Sequence, residues 1–439
     1  MSKKIIVAGG GHGGIAAGAL LAEQGYDVTV YEKNKREDMG YDWTDIFDRK
    51  GLFACNMEMP PEDKYLLKND MTFFSPSRKY KKQQHVPADQ LEIQMERKDI
   101  YNHIISHAEK CGVKFRYETE VESPVMLGGR VVGIKTSDGI ETADLVIDAA
   151  GIASPVRSQL PGCLGIQNKV NKFEQFFVYR AFYNKTAEVD GEKFRVYLFF
   201  DNKLQICWVA DDGTHTDVLI GRFEPFGMDE VEDTLVKLRD INADLGTDVV
   251  RGGQFVKIPV RQPLGVLVAD GYAAIGDSAF MTVPIIGSGI GNSFKAARVL
   301  ADTVMADKEG LYSAETLWKY QRGYYKILGG GLAPLAIVKL MMTKFTPDEL
   351  DYMLGKNILN DEDMTIGADS TSIWKFVHFS PEAIKDKLLG VCTNPSVFFK
   401  VSKMLAQISA VLTVTSAMPL KYDRKLVNKW VKAYNACFK

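Results

Sequence analysis

The chain has 439 residues, enough for two or three domains with sizeable cores. Apolar residues make up 46% of it and charged residues 25%, with a formal net charge of −2. This is an ordinary globular composition, without the basic excess that marks nucleic-acid binders. The six cysteines, at 55, 111, 163, 207, 392 and 437, include no C-x-x-C pair, which argues against an iron–sulfur cluster, a structural zinc site or a disulfide framework. Met-Ser-Lys-Lys leads directly into the first apolar run with no signal region, so a cytoplasmic location is expected.

From Lys3 to Glu32 the pattern reads strand, tight turn, helix, strand. The run Ile5 to Ala8 enters Gly9, Gly11 and Gly14 at G-x-G-x-x-G spacing, an Ala/Leu-rich helical stretch follows, and Val28 to Tyr31 ends at Glu32. Glycines at this spacing let a backbone turn sharply, approach a pyrophosphate and seat a helix close to a sheet, while the helix N-terminus offers free N–H groups to phosphates. Glu32 lies about twenty residues past the turn, where an acidic residue accepts hydrogen bonds from a ribose, which favours FAD or NAD over NADP. His12, inside the turn, is either a donor to a phosphate or flavin oxygen or a tolerated loop residue.

Between Lys35 and His85 periodicity fails, and Gly40-Tyr41-Asp42-Trp43 and Phe73 to Arg78 suggest a cofactor-covering loop or part of a second domain. Gln94 to Cys111 has apolar residues at helical spacing, closed by Gly112. His103 and His107 lie four apart there, but no third ligand is near in sequence and no metal site is assigned. Strands are predicted at Val113 to Val121, Arg130 to Thr136 and Ile140 to Ile147, the last ending in small residues at Asp148-Ala-Ala-Gly151 like a parallel core strand whose tip meets a ligand.

From about Phe173 to Phe223 apolar and polar residues alternate between turn signals, predicting an antiparallel sheet. A helix from about Asp229 to Leu245 and strands at Gln254 to Val260 and Gly265 to Val268 follow. Tyr272 to Ile275 forms a short strand ending in Gly276-Asp277, and Pro284-x-x-Gly287-x-Gly289 leads into another helix. An acidic residue at a strand tip can hold a polyol hydroxyl, and a glycine-led helix start can stabilise negative charge on a ring edge. The chain is helical from Leu311 on, with caps or breaks at Ser313, Gly329 to Gly331, Pro347 and Pro381. Lysines at 339, 400 and 403 interrupt its apolar stretches, so none is expected to span a bilayer; a pocket cover, a dimer face or a peripheral membrane contact remain open uses.

Three stretches in this order, the nucleotide turn with Glu32, DAAGIASPVR from Asp148 to Arg157, and Gly276-Asp277 with Pro284-x-x-Gly287-x-Gly289, resemble the flavoprotein superfamily typified by p-hydroxybenzoate hydroxylase, and within it the geranylgeranyl reductase family. The resemblance spans roughly residues 1 to 330. It implies an α/β fold with an α+β insertion: a Rossmann-like FAD-binding domain of the glutathione reductase type 2 class, an antiparallel-sheet substrate domain and a helical C-terminal region. The expected boundaries are 1–170 with 254–330 for the FAD domain, residues 35–95 contributing partly to the substrate side, 171–253 for the substrate domain and 331–439 for the helical region.

The resemblance further implies that Gly9, Gly11, His12, Gly13 and Gly14 hold the FAD pyrophosphate, with Glu32 and Lys33 at the adenosine ribose and Arg97 opening a helix beside the phosphates. Ala150, Gly151, Gly276 and Asp277 would meet the ribityl chain and flavin, and Pro284, Gly287, Gly289 and Ile290 the pyrimidine ring. Where hydroxylases have Ala-Asp-Gly, with an acidic residue linked to pyridine-nucleotide use, this chain has Ala150, so NAD(P)H or another electron donor is left open. The reductases' aromatic sheet signature survives as a trace at Ile206-Cys207-Trp208-Val209, Cys55 lies near the family's early cysteine, and the halogenase W-x-W-x-I-P stretch is absent.

The expected activity is reduction of a carbon–carbon double bond in a small apolar, isoprenoid-like or enoate substrate by hydride from reduced FAD. The alternatives are an FAD-dependent aromatic monooxygenase, and a flavin-binding protein acting through partner or membrane association. Tyr179, Tyr197 and Trp208 are candidates to line the substrate pocket, and Arg180 and Arg261 to hold a carboxylate or phosphate. No catalytic acid or base is assigned.

Overall fold

The computed structural model describes every residue except 1, 69, 168, 169, 368–386, 388 and 389, so the break expected at Pro381 lies outside the described residues. The strand Lys4–Ala8 is apolar throughout its buried length because both its faces are covered: Ile5, Ile6, Val7 and Ala8 have no exposed surface. It pairs in parallel with Asp27–Tyr31 on one side and Leu145–Asp148 on the other. Lys114–Arg116 extends this six-stranded sheet beyond Asp27–Tyr31, while Tyr272–Ala274 and the short antiparallel strand Val268–Ala269 extend it the other way. Helix α1 (His12–Ala22) lies on the sheet beside α2 (Arg97–Lys110).

Tertiary pairing moves several expected boundaries. The residues before Arg97 form a strand, Ile93–Glu96, because they pair with Thr44–Phe47; the helix begins only at Arg97. The strand expected from Val113 to Val121 is two, Lys114–Arg116 and Val121–Leu127, with the chain turning through a positive φ of 54° at Glu118. Ile140 to Ile147 likewise divides into Gly139–Thr142 and Leu145–Asp148, which belong to different sheets.

A seven-stranded sheet forms the second layer, in the order Leu245–Pro259, Gln175–Lys185, His215–Arg222, Gln205–Asp211, Phe194–Leu198, Met71–Phe74, Lys81–Gln83. Its last two strands come from the irregular stretch after Lys35, and Met71–Phe74 is the parallel neighbour of Phe194–Leu198. Helix α3 (Met228–Arg239) ends six residues before the expected Leu245, which instead opens the long edge strand. That strand continues unbroken across positions 253 and 254, where a domain boundary was expected, because it hydrogen-bonds to Gln175–Lys185 along most of its length.

Side-chain alternation gives this sheet two different faces. Tyr179, Ala181, Tyr183, Tyr197, Cys207, Val209, Val218 and Ile220 pack with Val231, Leu235 and Leu238 of α3. On the opposite face Val178, Phe182 and Leu219 meet Trp43, with Trp208, Val256 and Ile258 around them.

Helix α4 (Ile290–Ala306) packs against α1. Helix α5 (Ala314–Tyr324), capped by Ser313, passes through one wide π turn at Tyr325–Gly329 into α6 (Gly330–Met342), so the helix continues through the triple glycine where a break was expected. Helix α7 (Pro347–Gly355) opens on a capping box between Thr346 and Glu349. Helices α8 (Pro395–Ser416) and α9 (Arg424–Ala436) follow, linked by a hydrogen bond from Trp430 Nε1 to the Val414 carbonyl (2.7 Å). By length and composition Ala314–Met342 and α8 are apolar enough to cross a membrane; the most apolar window of the first is 61% buried in the protein and that of α8 only 11%.

Candidate cofactor cleft

The carboxyl ends of three adjacent parallel strands set the site. Lys4–Ala8 delivers the glycine turn, Asp27–Tyr31 delivers Glu32, and Leu145–Asp148 delivers Ala150 and Gly151. Its neighbour Tyr272–Ala274 leads to Gly276 and Asp277 at the same edge. Ligands bind at this edge of an open parallel sheet because the loops diverge there and helix N-termini point outward.

Gly9 has a φ of +87°, and a Cβ there would lie 2.6 Å from Ala150 Cα, so only glycine makes this turn. At Gly14 a Cβ would come within 2.4 Å of Ala149 Cβ and 2.7 Å of Val7 Cγ1; glycine is what lets α1 lie against the strand. No side chain caps the N-terminus of α1 at Gly11, which leaves its first N–H groups available to an anion. Glu32 is buried and already oriented: Gly10 N donates to its Oε2 (2.8 Å) and Asn34 N to its Oε1 (2.9 Å). Lys33 beside it is exposed.

His12 is buried, its ring tilted by 30° against that of Tyr101 at 4.4 Å, and its Nε2 has no hydrogen-bond partner among the described residues. Burial, aided by the charge of Arg97, holds its pKa well below the ordinary imidazole value, so it is a neutral group at pH 7. Arg97 lies at the first position of α2, with its backbone N donating to the Trp43 carbonyl (2.9 Å) and Nη1 to Asp45 Oδ2 (2.7 Å). Its guanidinium covers the Tyr41 ring at 4.3 Å, and its Nε is buried without a partner. Burial opposes its charge, but Asp45, with Tyr41, Tyr101 and Asp277, outweighs this and raises its pKa, so the cation is permanent.

Asp277 is reached by solvent although protein surrounds it, the situation of a carboxylate in a cleft. This enclosure raises its pKa, while Thr282 Oγ1 donating at 2.9 Å and Arg97 pull the other way. The adjoining loop is held from beneath: Gly151 N donates to Ser278 Oγ (2.9 Å), and buried Asp148 accepts from Ser154 Oγ (2.6 Å), Tyr272 Oη (2.8 Å) and Ala150 N (3.2 Å). Pro284 is buried, Gly287 takes a positive φ of 74°, and Gly289 precedes α4, whose first residue is the buried Ile290. A Cβ at Gly287 would touch Ile258 Cγ2 at 3.4 Å, so this loop adjoins the apolar face of the large sheet.

The residues from 40 to 48 belong to the cleft, which their irregular sequence concealed. Arg251 ties Asp42 (2.8 Å) and Glu96 (2.6 Å) together, Lys295 holds Asp48 (2.8 Å), and Ser288 Oγ donates to the Ile46 carbonyl (3.3 Å). Tyr41, Trp43 and Asp45 thus border the cleft; in the sequence only the aromatics after Gly40, in a stretch expected as a cofactor-covering loop or part of a second domain, point to them.

The substrate-side candidates separate. Tyr179 and Tyr197 project to the α3 face, where Tyr197 Oη donates to Asn242 Oδ1 (2.7 Å) and the Tyr179 and Tyr183 hydroxyls meet at 3.4 Å. They are core residues of that layer and face away from Trp43 and the cleft, because strand positions of one parity share a face. Trp208 projects to the cleft-side face. Arg180 is also on that side, but its guanidinium is fully engaged by Asp217 (Nε–Oδ1 2.8 Å, Nη2–Oδ2 2.5 Å) and by the carbonyl and hydroxyl of Thr44, between the rings of Trp43 and Trp208. A saturated ion pair of this kind orders the Trp43 loop against the sheet and leaves no arm for a substrate anion. Arg261 is fully buried beside Glu174 (3.5 Å), its guanidinium 4.6 Å from the Phe280 ring.

His103 meets the Glu58 carbonyl (2.9 Å) and His107 the Cys111 sulfur (3.7 Å), and among the described residues no group of three metal-ligating side chains forms. Cys55 is buried against the Phe294 carbonyl (3.1 Å), and burial pushes its thiol up to about 12, so it is not a ready nucleophile.

Comparisons with known proteins agree with this geometry. Residues 7–81 match the model of the NAD(P)-binding Rossmann-like domain. A digeranylgeranylglycerophospholipid reductase of Sulfolobus acidocaldarius is 25% identical over 320 residues, 69% of this chain and 69% of that protein. The Haloferax volcanii protein of the same name is 25% identical over 367 residues, 77% of this chain and 84% of its own. Among solved structures, a geranylgeranyl bacteriochlorophyll reductase-like protein from Thermoplasma acidophilum superposes with a TM-score of 0.72 at 19% identity, covering 92% of this chain and 99% of its own. The flavin-dependent brominase Bmp2 follows at 0.65 and 16% identity, covering 88% and 99%. The chain is therefore similar in sequence to digeranylgeranylglycerophospholipid reductases, and its fold is that of these solved flavin-dependent and geranylgeranyl reductase-like proteins.

Proposed function

We propose that this chain is an FAD-dependent oxidoreductase that reduces a carbon–carbon double bond of an isoprenoid-like apolar substrate. The residues at the cleft fit such a cofactor. The uncapped start of α1 suits a pyrophosphate, Glu32 keeps lone pairs for a ribose, and the partnerless His12 Nε2 and Arg97 Nε are buried polar atoms that a bound nucleotide would satisfy. When bound and reduced, the flavin would supply a hydride. This chain's own residues then have three tasks: to orient the ring, to exclude water and to lodge the apolar chain.

The observation that carries the reading is the character of the surface beside the Gly287 loop. Trp43, Val178, Phe182 and Leu219 pack together and are buried there, Val256 and Ile258 beside them are half-buried, and the charges that border them are paired, Arg180 with Asp217 and Arg251 with Asp42 and Glu96. An alkene chain laid against Val256 and Ile258 at the edge of this layer would have a dry lodging, with no unpaired charge in the Arg180 and Arg251 pairs to demand a polar ligand. The N-terminus of α4 after Gly289 would stabilise the negative charge of the reduced ring. Asp277 would hold a ribityl hydroxyl, and Arg97, permanently charged, a phosphate.

The test is to reduce the purified flavoprotein without oxygen and offer isoprenoid and enoate substrates, following flavin reoxidation and the saturated product. Stoichiometric reoxidation with a saturated product is expected. Alkenes left intact, together with oxygen-dependent hydroxylation of an aromatic compound, would replace this reading with the monooxygenase.

A further inference from the structure

Away from the cleft, the hairpin of α8 and α9 presents a surface with two properties that belong together. The inner side of α8 is closed, with Val397 and Val411 buried and Met404 and Ile408 packed on the core. Its outer side shows Phe398, Phe399 and Leu405 to solvent at 47%, 69% and 54% of their surfaces, and beyond its far end Leu420 and Leu426 are exposed at 73% and 57%. Ala406, Ser409, Ala410 and Thr413 lie between them on the exposed side, where Lys403 is the charged residue.

The same segment is strongly basic. From Pro395 to Lys439 it holds Lys400, Lys403, Lys421, Arg424, Lys425, Lys429, Lys432 and Lys439 against the single acid Asp423, in a chain whose net charge is −2. Asp423 is occupied in capping α9 through the N–H groups of Lys425 and Leu426, and Lys400 is paired with Glu349 at 2.6 Å. Lys403, Lys421, Lys425, Lys429 and Lys432 are exposed and make no ion pair among the described residues. On α9 the apolar residues Val427, Trp430, Val431 and Tyr434 are buried in the protein, so the outward side carries the lysines and Leu426.

We propose that the outer surface of the α8–α9 hairpin docks on a lipid bilayer that carries anionic headgroups. Phe398, Phe399 and Leu405 enter the boundary between headgroups and acyl chains, and the unpaired lysines meet the phosphates. The helix lies on the bilayer and does not cross it, because its other side is held by the protein core and by the Lys400–Glu349 pair. A second copy of this chain is a poorer occupant, since a symmetric contact would set the unpaired lysines of each copy against those of the other. The inference goes beyond the proposed reaction: it concerns where the protein sits, and it is read without turnover.

The test is co-sedimentation of the full-length flavoprotein with vesicles of phosphatidylcholine alone and of phosphatidylcholine mixed with phosphatidylglycerol. Binding to the mixed vesicles, weakened by salt, is expected. The exposed double variant Phe398→Asp with Phe399→Asp should abolish it. Replacing Lys425, Lys429 and Lys432 by Gln should weaken it roughly fivefold for each lysine removed. Melting temperature and reduction of a short soluble alkene serve as controls, and both should be unchanged in these variants. Protein left in the supernatant with mixed vesicles, or binding unaffected by either set of substitutions, overturns the proposal. So does a concentration-dependent dimer that the Phe398 and Phe399 variants dissolve, which would assign the surface to a second copy. Failure of the reaction would leave sedimentation unchanged, so the two proposals fail separately.

Discussion

The two faces of the seven-stranded sheet are built from alternate residues of the same strands, yet they do different work. On the α3 face Tyr179, Tyr183, Tyr197, Val209 and Ile220 are closed over by Val231, Leu235 and Leu238, and the polar ends of the tyrosines find partners within the layer. On the cleft face Val178, Phe182, Leu219 and Trp208 meet a loop, Tyr41 to Phe47, that is itself fastened to the nucleotide side by Arg97 and to the edge strand of the same sheet by Arg251. The first face is a core and stabilises the layer. The second is a boundary between two layers, and ligands collect at such boundaries because packing there is completed by loops. A residue one position along a strand therefore changes from scaffold to site.

The sharpest way to break this comparison is at the Arg180–Asp217 pair, whose side chains are nearly inaccessible. Asp217→Ala strands a buried guanidinium and should cost about 3–5 kcal/mol of stability, read by denaturant titration. Its midpoint should shift well beyond that of Thr214→Ala, an exposed turn residue. On the other face Leu235→Ala opens a cavity under α3 and should cost about 2–4 kcal/mol while leaving flavin affinity unchanged, measured by fluorescence titration. If that variant lost flavin in proportion to its stability, the two faces would not be functionally separate.

Glu32→Gln should cost roughly 1.5–3 kcal/mol in flavin binding from a weakened charge-assisted hydrogen bond, together with about 1–3 kcal/mol of flavin-free stability because its NH2 group must face the N–H of Gly10 or Asn34, so that, unlike Leu235→Ala, it lowers flavin affinity and stability together. The smallest effect is expected at His12, whose pKa is lowered by burial and by Arg97. As pH falls below the ordinary imidazole value near 6.5, the unfolded chain takes up a proton that the native His12 refuses, so stability is lost toward acid. His12→Asn should flatten that slope between about pH 6.5 and pH 5 by roughly 1 kcal/mol, measured by melting in matched buffers.

How much of this was legible in the chain differs by region. The glycine turn with Glu32, the parallel strand ending at Asp148, and the strand and loop through Asp277 and Gly289 each carry their signal within a few adjacent residues, and the structure brings all of them to one sheet edge. The Tyr41 to Asp48 loop has no such signal, since its position depends on pairing with Ile93–Glu96 about fifty residues later and on Arg251 about two hundred later. Tyr179, Arg180, Tyr197 and Trp208 do lie on strands of the seven-stranded sheet, but sequence alternation shows only that two faces exist. Which one turns to the cofactor waits on the partner layers.

By itself, then, the sequence determined the nucleotide-binding turn, the alternating sheet and the helical end of the chain, because each depends on interactions among residues a turn or two apart. Only the tertiary structure decided that Arg180 is spent on Asp217, that Tyr179 and Tyr197 face α3, and that Phe398 and Phe399 stay uncovered. Those outcomes follow from which surfaces meet across hundreds of residues, and local pattern carries no information about that choice.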